Sequence, residues 1–254
     1  MTDLSSWCDV GVVATVGDHH AHEVVSNNDS KGVEIMTVKL PHAYAESDSL
    51  ARIADRLGKE GVAKFLRNKF PTKSSARSGD MGEVLAAAYL QEVCGNVVGP
   101  SRLIWRDHQE WAMRGDDVLG ARVDSDGKMR ITKVEAKSRV TVGERTVEEA
   151  REALMRNDEL PSPHSLTQFG ERLLSTADSD IGSAVLEMQI SDGVRPSRVR
   201  HLMFLFTGSD PSEHVTADLT AYAGSIPQRT VTLRVNDHPA FIKNAYEAAS
   251  SFAS

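Results

Sequence analysis

The chain has almost no cysteine. Its two, Cys8 and Cys94, lie far apart and form no CxxC pair, so neither a zinc site nor a disulfide framework is indicated; both read as small core residues. Long apolar runs are missing as well. No stretch reaches the roughly 18 residues a membrane span needs, and no basic-then-apolar segment with a cleavage site opens the chain. A soluble, cytoplasmic protein with no membrane partner is expected. There is no Walker loop, so the chain is not expected to hydrolyse ATP. Ser74, Ser75 and Ser78 stand outside any GxSxG context, which leaves nucleophilic serine chemistry without support. No helix-turn-helix or zinc finger is present to read base edges.

What is there is ordinary in bulk. The 254 residues are 40% hydrophobic and 26% charged, enough for one large domain or a domain with an extension. The net charge of −7 is unevenly spread: residues 1–49 carry eight acids against two bases, whereas residues 50–78 carry eight bases against two acids. Phosphate contact depends on where cations cluster rather than on their sum. Lys69, Lys73 and Arg77 in the basic segment are therefore candidate DNA contacts, although a solvated helix face would look the same. Arg198 and Arg200, within the RPSRVR run, either meet phosphate or put charge on a sheet edge.

Strand-like runs at 9–17 and 33–40 flank the polar loop NNDSKG. A helix is expected from Leu50 to about Phe70, interrupted at Gly58 and Gly61. Pro71 and the run TKSSARSG mark a boundary, giving a β-rich N-terminal extension over 1–75 and a second domain over 76–254. Ser78 is the expected N-cap of a helix reaching about Cys94 and stopped by Gly95. Short strand-like runs follow near Val97 and at Leu103–Trp105. A strand then opens on Asp116-Asp117, and the turn DSDG joins it to MRITKVEAKSR as an antiparallel hairpin. Helical patterns begin at Thr146 and at Ser165, the latter split near Asp178, and strands are expected at His201–Thr207 and Thr230–Val235. The order from residue 78 predicts an α/β (α+β) class, a mixed sheet flanked by helices.

The hairpin carries the chemistry. Strand side chains alternate, so Lys133, Glu135 and Lys137 share one face, and antiparallel pairing brings the acid-headed start of the first strand to the late part of the second. Asp116 and Asp117 point to opposite faces. Asp117 is preferred as a ligand because apolar Val118-Leu119 follows it, with Asp116 the alternative. Carboxylate oxygens suit Mg²⁺ or Mn²⁺, which polarises a phosphate and activates water, and a nearby lysine can orient that water and offset developing charge. Other signals are weaker. Asp18, His19, His20 and His22 read as a solvated polar loop rather than a metal centre. Trp105 and Trp111 are candidates to stack on bases, with core packing the plainer role.

An acid at a strand start followed by E-x-K on the neighbouring strand resembles the PD-(D/E)XK nuclease signature, with Asp117, Glu135 and Lys137 as its catalytic residues. That resemblance implies a restriction-endonuclease-like core, a further metal ligand in the Ala136 carbonyl, and a helix glutamate, here Glu83. Gln168 is followed four residues later by Arg172, where recombination-exonuclease relatives carry tyrosine. The segments SARSGDMGEVLAAAYLQEVCG, WAMRGDDVLGARVD and ITKVEAKSR together look like the HamA family, the nuclease subunits of the Hachiman antiphage defence system. What this resemblance implies is a metal-dependent DNase of little sequence preference, paired with a superfamily 2 helicase subunit (HamB-like), in a heterodimer that holds the nuclease inactive until the helicase engages DNA. A catalytically silent adaptor binding DNA or a helicase, and a restriction- or repair-type nuclease with no helicase, remain alternatives.

Overall fold

The computed structural model describes residues 3–110, 114–191 and 193–251. Among the described residues six strands form one mixed sheet: β1 (Cys8–Val16), β2 (His19–Ser26), β3 (Val118–Val123), β4 (Met129–Arg139), β5 (Val199–Thr207) and β6 (Gln228–Arg234). Their spatial order is β1-β2-β6-β5-β4-β3. The central four, β2, β6, β5 and β4, run parallel, while β1 and β3 are antiparallel edges. The two N-terminal strands thus continue the sheet that carries the E-x-K strand.

Eight α-helices among the described residues flank this sheet: α1 (Asp29–Tyr44), α2 (Ser47–Lys69), α3 (Ser74–Glu92), α4 (Glu144–Met155), α5 (Pro163–Leu174), α6 (Ser179–Ser191), α7 (Ser212–Ala221) and α8 (His238–Ser251). The HLMFLFT run explains the layering, because a strand apolar on both faces must be covered on both. Leu202, Phe204 and Phe206 of β5 join Met36 and Leu40 of α1, Leu85 of α3 and Phe241 of α8 in the largest core. Met203 and Leu205, on the other face, pack with Ala150 of α4 and Leu219 of α7. Beyond them, α5 and α6 close over the β3 end through Leu166, Phe169 and Val185. No helix among the described residues is long and apolar enough to cross a membrane.

Several expectations are corrected here. The run VEIMTVKL, at 33–40, is not a strand but the middle of α1, whose buried Gly32, Met36, Leu40 and Tyr44 recur every four residues and whose Asn28 side chain accepts from the Lys31 N–H. His19, His20 and His22 lie on β2, not in a loop. Helix α3 begins at Ser74 rather than after Ser78, with no side-chain cap. Leu103–Trp105 falls in a 3₁₀ turn over Arg102–Trp105, and Val97 makes only an isolated bridge to Ala121. Gly58 kinks α2 with φ 65°, but Gly61 is helical. Helices α7 and α8 were not foreseen. Trp111 lies outside the described residues.

Candidate active site

The β3–β4 register pairs Val118 with Val134, which carries Asp117 alongside Glu135 and Ala136. One Asp117 oxygen accepts the Ala136 N–H at 3.0 Å. Lys137, two residues beyond Glu135 and so on its face, donates to Glu135 Oε1 at 2.5 Å. Helix α3 crosses β4 closely because Gly82 presents only hydrogen to the strand; a Cβ there would stand 3.2 Å from that of Ser138. The next residue is Glu83, which is thereby delivered to the strand ends.

A residue not foreseen joins these acids. Arg102, in the 3₁₀ turn, grips both Glu83 oxygens, with Nε at 2.9 Å and Nη2 at 2.7 Å, and the same Nη2 reaches Asp117 Oδ1 at 2.7 Å. Its Nη1 donates to the Asp116 carbonyl at 2.9 Å. Nothing in the sequence flags it beyond a single charge entering the apolar RLIW run, whose turn geometry buries it. One turn before Glu83, buried Asp80 is also unforeseen; it accepts from Arg106 and from the Tyr44 hydroxyl, which in turn meets the Tyr246 hydroxyl at 2.7 Å.

Asp116 and Asp117, just ahead of β3, part company. Asp116 accepts the Ser162 N–H at 2.8 Å at the start of α5 and faces Lys133 at 3.9 Å. Lys133 itself is spent on the carbonyls of Leu154, Arg156 and Leu160. Asp117, with Glu83 and Arg102, lines a cavity of about 120 Å³ that Arg114, Gln168 and Arg172 also border. The Gln168–Arg172 pair is therefore brought to the acids. Arg172 also lies over the Trp105 ring at 4.9 Å, which gives that half-exposed tryptophan a packing partner.

Burial dominates the electrostatics of the cluster. Burial pushes the Glu83 carboxyl up to about 7, with Arg102 only partly restoring it and Asp117 and Asp80 adding repulsion. Burial and then the Asp117 charge likewise raise Glu135 to about 7 against the pull of Lys137. Among the described residues no three His, Cys, Asp or Glu side chains are arranged as a metal-binding group. Arg102 pairs with Glu83 and Asp117, and Lys137 with Glu135. The donor set is nonetheless all oxygen, the kind of ligand a hard cation takes.

The five basic residues expected at DNA fall into two groups. Lys69 donates to the Ile104 carbonyl at 3.2 Å, Lys73 is the N-cap residue of α3, and Arg77 lies on its first turn over the Tyr246 ring at 5.1 Å. This end of α3 meets the Lys137 end of β4, as the Ser78–Ser138 hydroxyl contact of 2.8 Å records. Arg198 and Arg200 are elsewhere. Arg200 pairs with Thr132, five residues before Lys137, or about 17 Å along the strand.

A family model, HamA, matches residues 3–249, nearly the full length and every element described above. The chain belongs to the HamA family. A curated relative, the Hachiman protein HamA of Bacillus cereus, is 24% identical over 238 residues, spanning 92% of this chain and 84% of the relative. The family match to this HamA chain takes in the hairpin, α3 and the two N-terminal strands alike.

Proposed function

We propose that this HamA chain is the DNA-degrading effector of an antiphage defence system, a phosphodiester hydrolase of PD-(D/E)XK type. The observation that carries the reading is the meeting of Asp117 and Glu135 across the β3–β4 register, with Lys137 on the Glu135 face and Glu83 delivered by α3. Asp117, Glu135, the Ala136 carbonyl and Glu83 would hold Mg²⁺ or Mn²⁺, which would supply positive charge to the scissile phosphate. Lys137 donates a hydrogen bond that orients the attacking water and offsets charge growing on the phosphoryl oxygens. Water oxygen bonds to phosphorus, the P–O3′ bond breaks, and the proton passes to the departing oxygen, leaving 5′-phosphate and 3′-hydroxyl ends. Lys73, Arg77 and Lys69 carry the backbone of the strand, with no base reading.

A superfamily 2 helicase subunit is the partner that the family implies. Residues 1–75 are assigned to meet it, and edge strand β1, with Val10 and Val12 exposed, supplies an unpaired sheet edge in support. The second reading is a catalytically silent adaptor, favoured by the way Arg102 and Lys137 already neutralise the acids.

Purified chain, alone and with the co-expressed helicase subunit, separates the two readings. Plasmid and linear DNA are incubated with Mg²⁺ or Mn²⁺ beside an EDTA control. The nuclease reading expects metal-dependent cleavage lost in Glu135→Ala/Lys137→Ala. Intact DNA under every condition, with DNA still bound, selects the adaptor.

A further inference from the structure

The sheet face under α3 carries a second cluster that the acids do not use. Strand register sets Thr132 of β4 beside Arg200 of β5, and Arg229 of β6 beside Leu202 of β5 and His20 of β2. Arg122 lies on the same face, two residues beyond Gly120, which pairs with Thr132. Helix α3 covers this face only as far as Glu92. Past its end, Arg122 donates to the Cys94 carbonyl at 3.1 Å and Arg229 to Cys94 Sγ at 3.2 Å. Between these side chains opens a cavity of about 400 Å³ with buried Leu90 and Leu202 in its wall, a size that suits a small ligand.

Its charge is lopsided. Three guanidiniums border the cavity, against Asp18 as the lone carboxylate on its lining among the described residues. Arg122 is paired with Asp124 at 2.8 Å, but among the described residues no carboxylate pairs with Arg200 or Arg229; Arg200 donates to the Val199 carbonyl of its own strand, and Arg229 meets Cys94 and the Tyr89 hydroxyl. A half-buried guanidinium loses hydration, which in Arg229 the Cys94 sulfur and the Tyr89 hydroxyl offset; a phosphate in the cavity would add a charged partner. The planar fork of arginine matches the oxygens of a phosphoryl group two at a time.

We propose that this cavity binds a phosphate-bearing ligand of nucleotide size, Arg200 and Arg229 holding the phosphoryl oxygens and the Leu90–Leu202 wall receiving the apolar edge of a base. The phosphate belongs either to a free nucleotide or to the end of a strand. The site is distinct from the acids: Thr132 and Glu135 lie three residues apart in β4, on opposite faces. It stands whether or not the chain cleaves DNA.

Calorimetric titration of the full chain in EDTA tests this without cleavage. The probes are ATP, dAMP, and a short single-stranded DNA with a 5′-phosphate or a 5′-hydroxyl. Binding of ATP or dAMP identifies a free nucleotide. Binding only of the 5′-phosphorylated strand identifies a strand end. Either supports the proposal when Arg200→Ala and Arg229→Ala each weaken it roughly ten- to hundredfold and Glu135→Gln leaves it unchanged. If Arg229→Ala loses its melting transition, Arg200→Gln, which gives up only a bond to its own strand, carries the test. No binding of any probe at about millimolar concentration, or equal binding by wild type and folded arginine variants, overturns it.

Discussion

Arg102 is the residue on which the acid cluster turns. Removing one partner of a buried ion pair strands the other, at about 3–5 kcal/mol. Arg102→Ala is expected to lose stability of that order in urea unfolding, because Glu83 and Asp117 are then left facing each other. Adding Mg²⁺ should recover part of the loss, and an unchanged midpoint would mean that the two acids do not bind the ion. The raised carboxyls also set a pH dependence. Glu83 and Glu135, near 7 in the fold, hold protons there that the unfolded chain has released above about 4.3, so their contribution is lost as pH rises through that window. His201 and His238 oppose them. Burial lowers both to about 4, so the unfolded chain takes up protons first and stability falls as pH drops from about 6.5 to 4. Glu135→Gln should therefore expose a steeper acid-side fall, and His238→Gln a steeper fall toward neutrality, in unfolding curves at pH 4.5, 5.5 and 6.5. Parallel wild-type and variant profiles would remove these groups from the balance. Arg102 was not legible in the sequence, since a buried charge in a turn has no period to announce it.

At the scale of elements, what the sequence shows best is what local rules decide. The hairpin follows from the DSDG turn and the alternation of β4, and β5 follows from its unbroken apolar run. Over 33–40, within α1, the β-branched Val33, Ile35, Thr37 and Val38 favour a strand. The helix's fourfold spacing of buried residues wins because Trp7 and Phe241 close on Gly32, where any Cβ would stand 2.6 Å from the indole. Helix α7 has a mixture of small and polar residues that signals little until α4 and the β1–β2 pair pack on it, whereas Phe241, Ile242, Ala245, Tyr246 and Ala249 of α8 do carry helical spacing. In α2, Gly58 sits at φ 65° and ψ −169°, a conformation all but closed to other residues. Gly58→Ala should cost about 1–3 kcal/mol, measured by chemical unfolding, although the site has room for the methyl. No loss would show that the two halves of α2 can align as one helix.

For the whole molecule, the sheet makes the first strands integral to the rest. β2 hydrogen-bonds along β6 from His20 to Val25, Trp7 stacks on Phe241, and α1 contributes Met36, Leu40 and Tyr44 to the main core. Deleting residues 1–45 should leave a chain that is insoluble or lacks a cooperative melting transition, and a well-folded truncated chain would contradict this packing. The same sheet sets a distance. β1 and β3 are its opposite edges, five strand spacings or about 24 Å apart. A subunit that extends the sheet at β1 therefore leaves the Glu135 end uncovered. To silence that end it must either wrap around the rim of the sheet or act through the rigidity of the four parallel strands, so a short docking peptide would grip the protein without muzzling it.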